Sequence, residues 1–191
     1  MNLHPALIKE IAKRHYERTH AGIYLPRSKV FIAGLFGNEV RHADGSMEPM
    51  EWSDNIVVNE GLDHILNVLL RGTTQVNPWY VFMFEGNYTP LAADTAAGIA
   101  AASTETTAYD EATRVEYNEA AASSQSTTNS ANKATFTINS TKTMYGAGLA
   151  SASAKGATTG TLLCAARFSS SRAVVAADQI LITYTITAAD A

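Results

Sequence analysis

Residues 133–187 contain four short strand-like runs, and in the first and last of them apolar residues recur at every second position. This period of two constrains the fold more than any other feature. The runs are KATFTINST, KTMYGAGLASAS, GTLLCAARFSSS and ADQILITYTIT, with turn-like segments AKGATTGT and SSSRAVVAAD between them. In the last run Ile180, Ile182, Tyr184 and Ile186 lie on one face, as in a strand with one buried side. Because no helical segments alternate with these runs, they predict an antiparallel β-sandwich or jelly roll.

A second strand-rich stretch begins at Lys29. Val30–His42 and Met50–Val58 flank Asp44-Gly45, a dipeptide typical of hairpin turns. The run WYVFMF predicts a buried strand over residues 79–84. Residues 90–132 are rich in Ala, Ser and Thr and predict long ordered loops with a short helical piece near Thr95–Ala102. We therefore predict a mainly β domain over residues 29–191, with a long loop region at 90–132.

The N-terminal segment has a different character from this domain. HPALIKEIAKRHYERTH predicts a helix with Pro5 in its first turn and an apolar stripe that reaches Tyr16. Residues 1–30 contain six Lys/Arg and two Asp/Glu, giving +4, whereas residues 31–191 contain eight and sixteen, giving −8. We predict a basic helical arm over residues 1–28 that binds an acidic surface of another subunit through its basic side chains, Lys9, Lys13, Arg14 and Arg18.

Nucleic acid is not the expected partner of this arm. Four basic residues on one helix provide only a modest attraction to phosphates. The remainder of the chain is acidic and lacks the interleaved basic and aromatic residues of a nucleic-acid-binding face.

The stretch NEGLDHILNVLLRG, residues 59–72, brings Glu60, Asp63 and His64 close together. It predicts a turn at Asn59-Glu60-Gly61, then a short helix that ends at Gly72. We expect its apolar stripe to pack against the β domain through Leu62, Ile65, Leu66, Leu69 and Leu70. A metal site would need further ligands at matching spacing. We therefore interpret Glu60 as a carboxylate near the helix N-terminus rather than as part of a site.

Other residue patterns also fail to predict an enzyme, and we expect no catalytic residue, metal or cofactor. The five histidines show no metal-binding spacing, and GATTGT lacks the lysine of a phosphate-binding loop. The single cysteine, Cys164, cannot form an internal disulfide and is expected to pack as a small apolar residue in a strand. The sequence shows no secretory leader and no apolar run of about 18 residues. We therefore expect a protein made in the cytoplasm, with no membrane partner.

A glycan site is the remaining chemical alternative. Paired carboxylates can flank a sugar, and the loops contain Glu105, Asp110, Glu111, Glu116 and Glu119. Aromatic candidates for a sugar-binding face are Trp52, Tyr88, Tyr109 and Tyr117. A solvated acidic loop and aromatic anchors of a core are the commoner arrangements of such residues.

Several motifs together resemble a known family. They are ADGSMEPMEWSDNIVVNEGLDHIL, TTQVNPWYVFMFEGNYTPLAADTAA, TETTAYDEATR, SSQSTTNSANKATFTIN and KGATTGTLLCAARFSSSRAVVAADQILITYTIT. Over residues 40–188 the chain is similar to small virion structural proteins of tailed bacteriophages. The resemblance implies a non-enzymatic component of a phage particle that is assembled in the host cytoplasm.

The expected role within such a particle is capsid decoration, as a cement protein that binds neighbouring capsid subunits. The alternatives are a neck, tail or fibre component that forms a ring or trimer, and, less favoured, a glycan-binding adhesin. Charged residues make up 17% of the chain, below the roughly 25% of ordinary globular proteins. Such a surface suits a homo-oligomer whose other partners are capsid or other virion proteins.

Overall fold

The computed structural model describes residues 16–18, 24–26 and 30–190 of the 191-residue chain. Residues 33–187 form one compact unit, and the described residues before and after them belong to a second. In the second unit, strand β1 (Tyr16–Arg18) pairs antiparallel with β2 (Tyr24–Pro26). The predicted helix is therefore wrong over residues 16–18, because their backbone pairs with that of residues 24–26 instead of forming helical hydrogen bonds. The rest of that predicted helix lies outside the described residues.

Within residues 30–190, two antiparallel five-stranded sheets and two helices confirm the mainly β prediction. The helices are α1 (Asn59–Arg71) and α2 (Ala96–Ala102). The further strands are β3 (Val30–Arg41), β4 (Met47–Asp54), β5 (Ile56–Val57), β6 (Tyr80–Phe84), β7 (Val115–Glu116), β8 (Ser126–Thr128), β9 (Ala134–Thr137), β10 (Lys142–Ala150), β11 (Leu162–Val174) and β12 (Gln179–Asp190). One sheet has the order β5-β11-β10-β6-β7, and the other has β4-β3-β12-β8, with β9 also pairing with β12.

The main core contains inward-facing side chains from both sheets, as the alternating runs predict. Phe36 of β3 stacks on Tyr184 of β12 with ring centroids 4.4 Å apart, and both are fully buried. Met83 of β6 and Cys164 of β11 belong to the same cluster. Each fully buried side chain of this size stabilises the fold by roughly 1.5–3 kcal/mol. Cys164 packs as an apolar residue, as expected, and its burial raises the pKa of the thiol to about 12.

The predicted hairpin at Asp44-Gly45 is confirmed, but its second strand begins and ends earlier than predicted. Gly45 has φ +87°, and the Asp44 carboxylate accepts a hydrogen bond from the Ser46 N–H at 2.8 Å. Strand β4 ends at Asp54, and the next two residues, Ile56 and Val57, pair with β11 in the other sheet. The predicted strand Met50–Val58 is therefore divided between the two sheets.

The segment SSSRAVVAAD is not a turn throughout, because β11 continues to Val174. Arg172 holds this part of β11 against β3 and β4. Its Nε donates to Asn38 Oδ1 at 2.5 Å, and its Nη1 donates to Glu48 Oε2 at 2.9 Å. The turn is limited to the residues up to Asp178, which accepts a hydrogen bond from the Val175 N–H.

The loop region 90–132 is ordered by burial and by one ion pair. The predicted helical piece is α2, and Ile99, Tyr109 and Tyr117 are buried. Arg114 is also buried and donates two hydrogen bonds to the Glu105 carboxylate, at 2.8 and 2.5 Å. Its other N–H groups donate to the carbonyl oxygens of residues 152 and 157. This pair therefore attaches the loop to the segment that joins β10 to β11.

Candidate interaction surface

Helix α1 begins directly against strand β11. A Cβ atom on Gly61 would lie 2.3 Å from the Leu163 carbonyl oxygen, so a glycine is required for this approach. The Val58 N–H, immediately before the helix, donates to the same oxygen at 3.2 Å. The helix ends at Gly72, as predicted, with φ +69° and an N–H that donates to the Asn67 carbonyl. The predicted turn at residues 59–61 is wrong, because these residues form the first turn of α1.

The carboxylate of Glu60 is used to hold backbone together. Glu60 Oε2 accepts hydrogen bonds from the Ala96 N–H and from the Leu162 N–H, both at 2.8 Å. Ala96 is the first residue of α2, and the side chain of the preceding Thr95 makes no cap. Glu60 therefore caps α2 from another helix and connects α1, α2 and β11. Its predicted position near a helix N-terminus is confirmed.

The other two polar residues of this cluster lie beside Glu60 without forming a site with it. The His64 ring packs edge-on against Trp79, with centroids 5.6 Å apart. Asp63 is exposed on the next part of the helix surface. Among residues 30–190, no three His, Cys, Asp or Glu side chains are grouped so that they could hold a metal ion.

Four leucines of α1 remain exposed to solvent. The exposed fractions are 38% for Leu62, 53% for Leu66, 72% for Leu69 and 79% for Leu70. The prediction that the whole stripe packs against the β domain is therefore wrong for these four. Ile65 alone of the predicted stripe packs against the main core. We call Leu62, Leu66, Leu69 and Leu70 the leucine face.

An apolar groove of about 240 Å³ adjoins the leucine face. Helix α1 forms one wall, and the segment before β6, strand β11 and strand β12 contribute the others. The lining residues are His64, Ile65, Val68, Leu69, Gln75, Val76, Trp79, Leu163 and Ile186. An exposed apolar ridge beside an apolar groove is a surface that proteins commonly cover with another protein.

The structure describes one of the four basic residues that are predicted to bind a partner. Arg18 lies in β1, opposite Tyr24. Lys9, Lys13 and Arg14 lie outside the described residues. Partner binding by these four side chains stays a prediction.

The aromatic candidates for a glycan site do not form one face. Tyr109 and Tyr117 are buried in the main core, and burial raises the pKa of both hydroxyls. Tyr88 donates a hydrogen bond to Asp94 at 2.7 Å, and this contact raises the pKa of Tyr88 to about 12. Of the four candidates only Trp52, on β4, is exposed, with an exposed fraction of 47%.

The acidic loop residues are also separated from one another. Glu105 is buried against Arg114, and the Glu111 carboxylate accepts the Thr137 N–H at 3.1 Å. Asp110, Glu116 and Glu119 are exposed. The two buried or bonded carboxylates therefore serve the loop structure.

No helix of the described chain is long and apolar enough to cross a membrane.

Comparison with known proteins identifies the family. No curated protein matches the chain. Residues 59–188 match the family model described as podophage GP4 fiber I protein gp80. The match begins at helix α1, includes the whole leucine face and extends into β12. It confirms the predicted resemblance to virion structural proteins of tailed phages. The match covers well over half of the 191 residues, so the chain belongs to the podophage GP4 fiber I protein gp80 family, a family of tailed-phage virion structural proteins.

Proposed function

We propose that the protein is a non-enzymatic structural component of a fibre on a tailed-phage virion. The observation that carries this proposal is the family match over residues 59–188, because the family description is that of a fiber protein. The same description favours the fibre alternative over the capsid-decorating role that was expected first from the sequence.

The arrangement of the described residues suits a protein that acts by contact. Glu60, Asp63 and His64 are the polar cluster of the sequence that most resembles a chemical site. The Glu60 carboxylate instead accepts hydrogen bonds from two backbone N–H groups. The long loop is held by the buried Arg114–Glu105 pair. These charged side chains therefore hold segments of the fold together rather than forming a chemical site.

The leucine face provides the means of contact. Apolar area that is removed from water stabilises an association by roughly 25 cal/mol per Å² before the costs of association are counted. In a particle with several copies, each such interface adds to the others because the second contact is intramolecular. The partners of this protein are therefore other virion proteins, including further copies of the chain.

Immunogold electron microscopy of intact virions tests the proposal. Antibodies raised against the full-length protein should place gold on the fibres and leave the head surface unlabelled. Purified protein should also fail to co-sediment with tail-free heads. Gold over the head surface, together with hundreds of copies per virion by quantitative mass spectrometry, would replace the fibre role with capsid decoration.

A further inference from the structure

We propose that the leucine face of α1 is a subunit interface, and that it packs against the leucine face of a second copy of this chain. The inference rests on the proposed function, because a fibre component acts in association with other subunits. It goes further by naming the residues that meet and the partner that covers them.

The first argument is the angular distribution of apolar residues around α1. At about 100° per residue, Gly61, Ile65 and Val68 lie within an arc of about 60° that faces the sheet. The four leucines occupy a separate arc of about 100° beside it. A helix with one partner needs only one apolar stripe, whereas a helix that is apolar on two sides is normally buried on both. The sheet covers one of these sides.

The second argument is the area of the face. The exposed parts of the four leucines add up to more than two whole side chains. This corresponds to roughly 400 Å² of apolar surface, which is within the range of the largest patches on monomers. It is about half of the ~800 Å² that a stable interface takes from each partner. The adjoining groove, with Val76, Trp79 and Ile186, supplies further apolar area around it.

The third argument is the spacing of the leucines, which selects a second α1 as the occupant. Leu62, Leu66 and Leu69 follow the four-then-three spacing of a helix–helix seam. Leu70 lies at the edge of this seam. Glu60 and Arg71 lie well outside the leucine arc, whereas Asp63 borders it beside Leu70. The seam of Leu62, Leu66 and Leu69 therefore carries no charge that would select an oppositely charged partner. A stripe of this kind fits another stripe with the same spacing, and a second copy presents one.

Light scattering on the full-length protein tests whether the face carries the association. The wild-type chain, 20.4 kDa as a monomer, should elute with at least twice that mass at about 100 µM, where an interface with a Kd of about 1 µM is saturated. The double variant Leu66→Glu/Leu69→Glu should elute as a monomer. Leu91→Glu is the matched control, since Leu91 is 57% exposed and Leu66 53%, and it should keep the wild-type mass.

A cysteine cross-link tests which surfaces meet, and it does not depend on a disruptive substitution. Leu66→Cys places an exposed thiol at the middle of the face, while the native Cys164 stays buried. Mild oxidation should convert the variant to a disulfide-linked dimer on non-reducing gels, and Leu91→Cys should remain monomeric. Circular dichroism establishes that each variant is folded.

Three results would overturn the inference. They are a monomeric wild-type protein at about 100 µM, an unchanged mass for the double variant, and an oligomer in which Leu66→Cys forms no cross-link. These measurements use purified protein, so they do not depend on where the protein lies in the virion. Gold on the head with a positive cross-link would refute the fibre role alone, and gold on the fibre with no cross-link would refute the α1 interface alone.

Discussion

Replacement of Glu60 by alanine tests whether this carboxylate is a structural cap. The substitution leaves the Ala96 and Leu162 N–H groups without the oxygen that both contact at 2.8 Å. Hydrogen bonds to charged groups contribute about 1.5–3 kcal/mol each in buried surroundings. Glu60 is only half-buried and lines an open groove, so water can replace part of this interaction. We expect a loss of about 2–3 kcal/mol in the free energy of unfolding.

The loss is measured by thermal unfolding followed with circular dichroism. For a chain of this size, 1 kcal/mol lowers Tm by about 2–4 °C, so Glu60→Ala should lower it by about 5–10 °C. Glu60→Gln keeps an acceptor oxygen without the charge and should lose about half as much. Asp63→Ala is the matched control, because Asp63 is exposed on the same helix and should change stability by less than about 0.5 kcal/mol. Equal Tm values for Glu60→Ala and Asp63→Ala would refute the capping role.

Three further substitutions test the packing and the electrostatics of the fold. Gly61→Ala should lower Tm, because the new Cβ would lie 2.3 Å from the β11 backbone. In the control Gly98→Ala, in α2, the new Cβ has no atom closer than 3.7 Å, so this variant should be more stable by about 0.5–1 kcal/mol. Equal effects of the two substitutions would contradict this packing. Arg114→Met should lower the free energy of unfolding in urea by about 3–5 kcal/mol, since it leaves the buried carboxylate of Glu105 unpaired. Neutralising Glu105 as well should restore part of this loss. The hydrogen bond with Asp178 raises the pKa of His42, so the stabilisation by His42 is complete below its unfolded pKa of about 6.5 and is lost as the pH rises through the folded value. His42→Gln should therefore differ from the wild type more at about pH 6 than at about pH 9, and a pH-independent difference would refute the assignment.

The strands of this protein could be predicted because their signal is local. Alternation in the run from Ile180 to Ile186 requires only that neighbouring side chains point to opposite faces, and β12 has this arrangement. The turn at Asp44-Gly45 is equally local, since the left-handed conformation of Gly45 is a property of the dipeptide. These features depend on few residues, so the surrounding fold does not change them.

The long-range contacts of the two buried arginines could not be predicted in the same way. Arg172 donates to Asn38, which lies 134 positions earlier, and Arg114 donates to carbonyl groups in a segment about 40 residues later. Spacing along the chain contains no sign of such pairs. An arginine in a polar segment such as SSSRAVV is usually solvated. Arg172 is buried because β3 and β4 lie beside it in the folded chain.

The spacing of residues in helix α1 does not show which of its two apolar stripes faces the sheet, but the position of Gly61 does. The periodicity of GLDHILNVLLR is compatible with either apolar stripe facing the sheet, because both contain large aliphatic side chains. Gly61 belongs to the stripe with Ile65 and Val68, and glycine in the first turn of a helix costs stability unless a neighbour approaches closely. The observed approach of the Leu163 carbonyl is such a case. The stripe that contains the glycine is therefore the one that meets the body of the protein, and the stripe made of leucines alone is the one available to a partner.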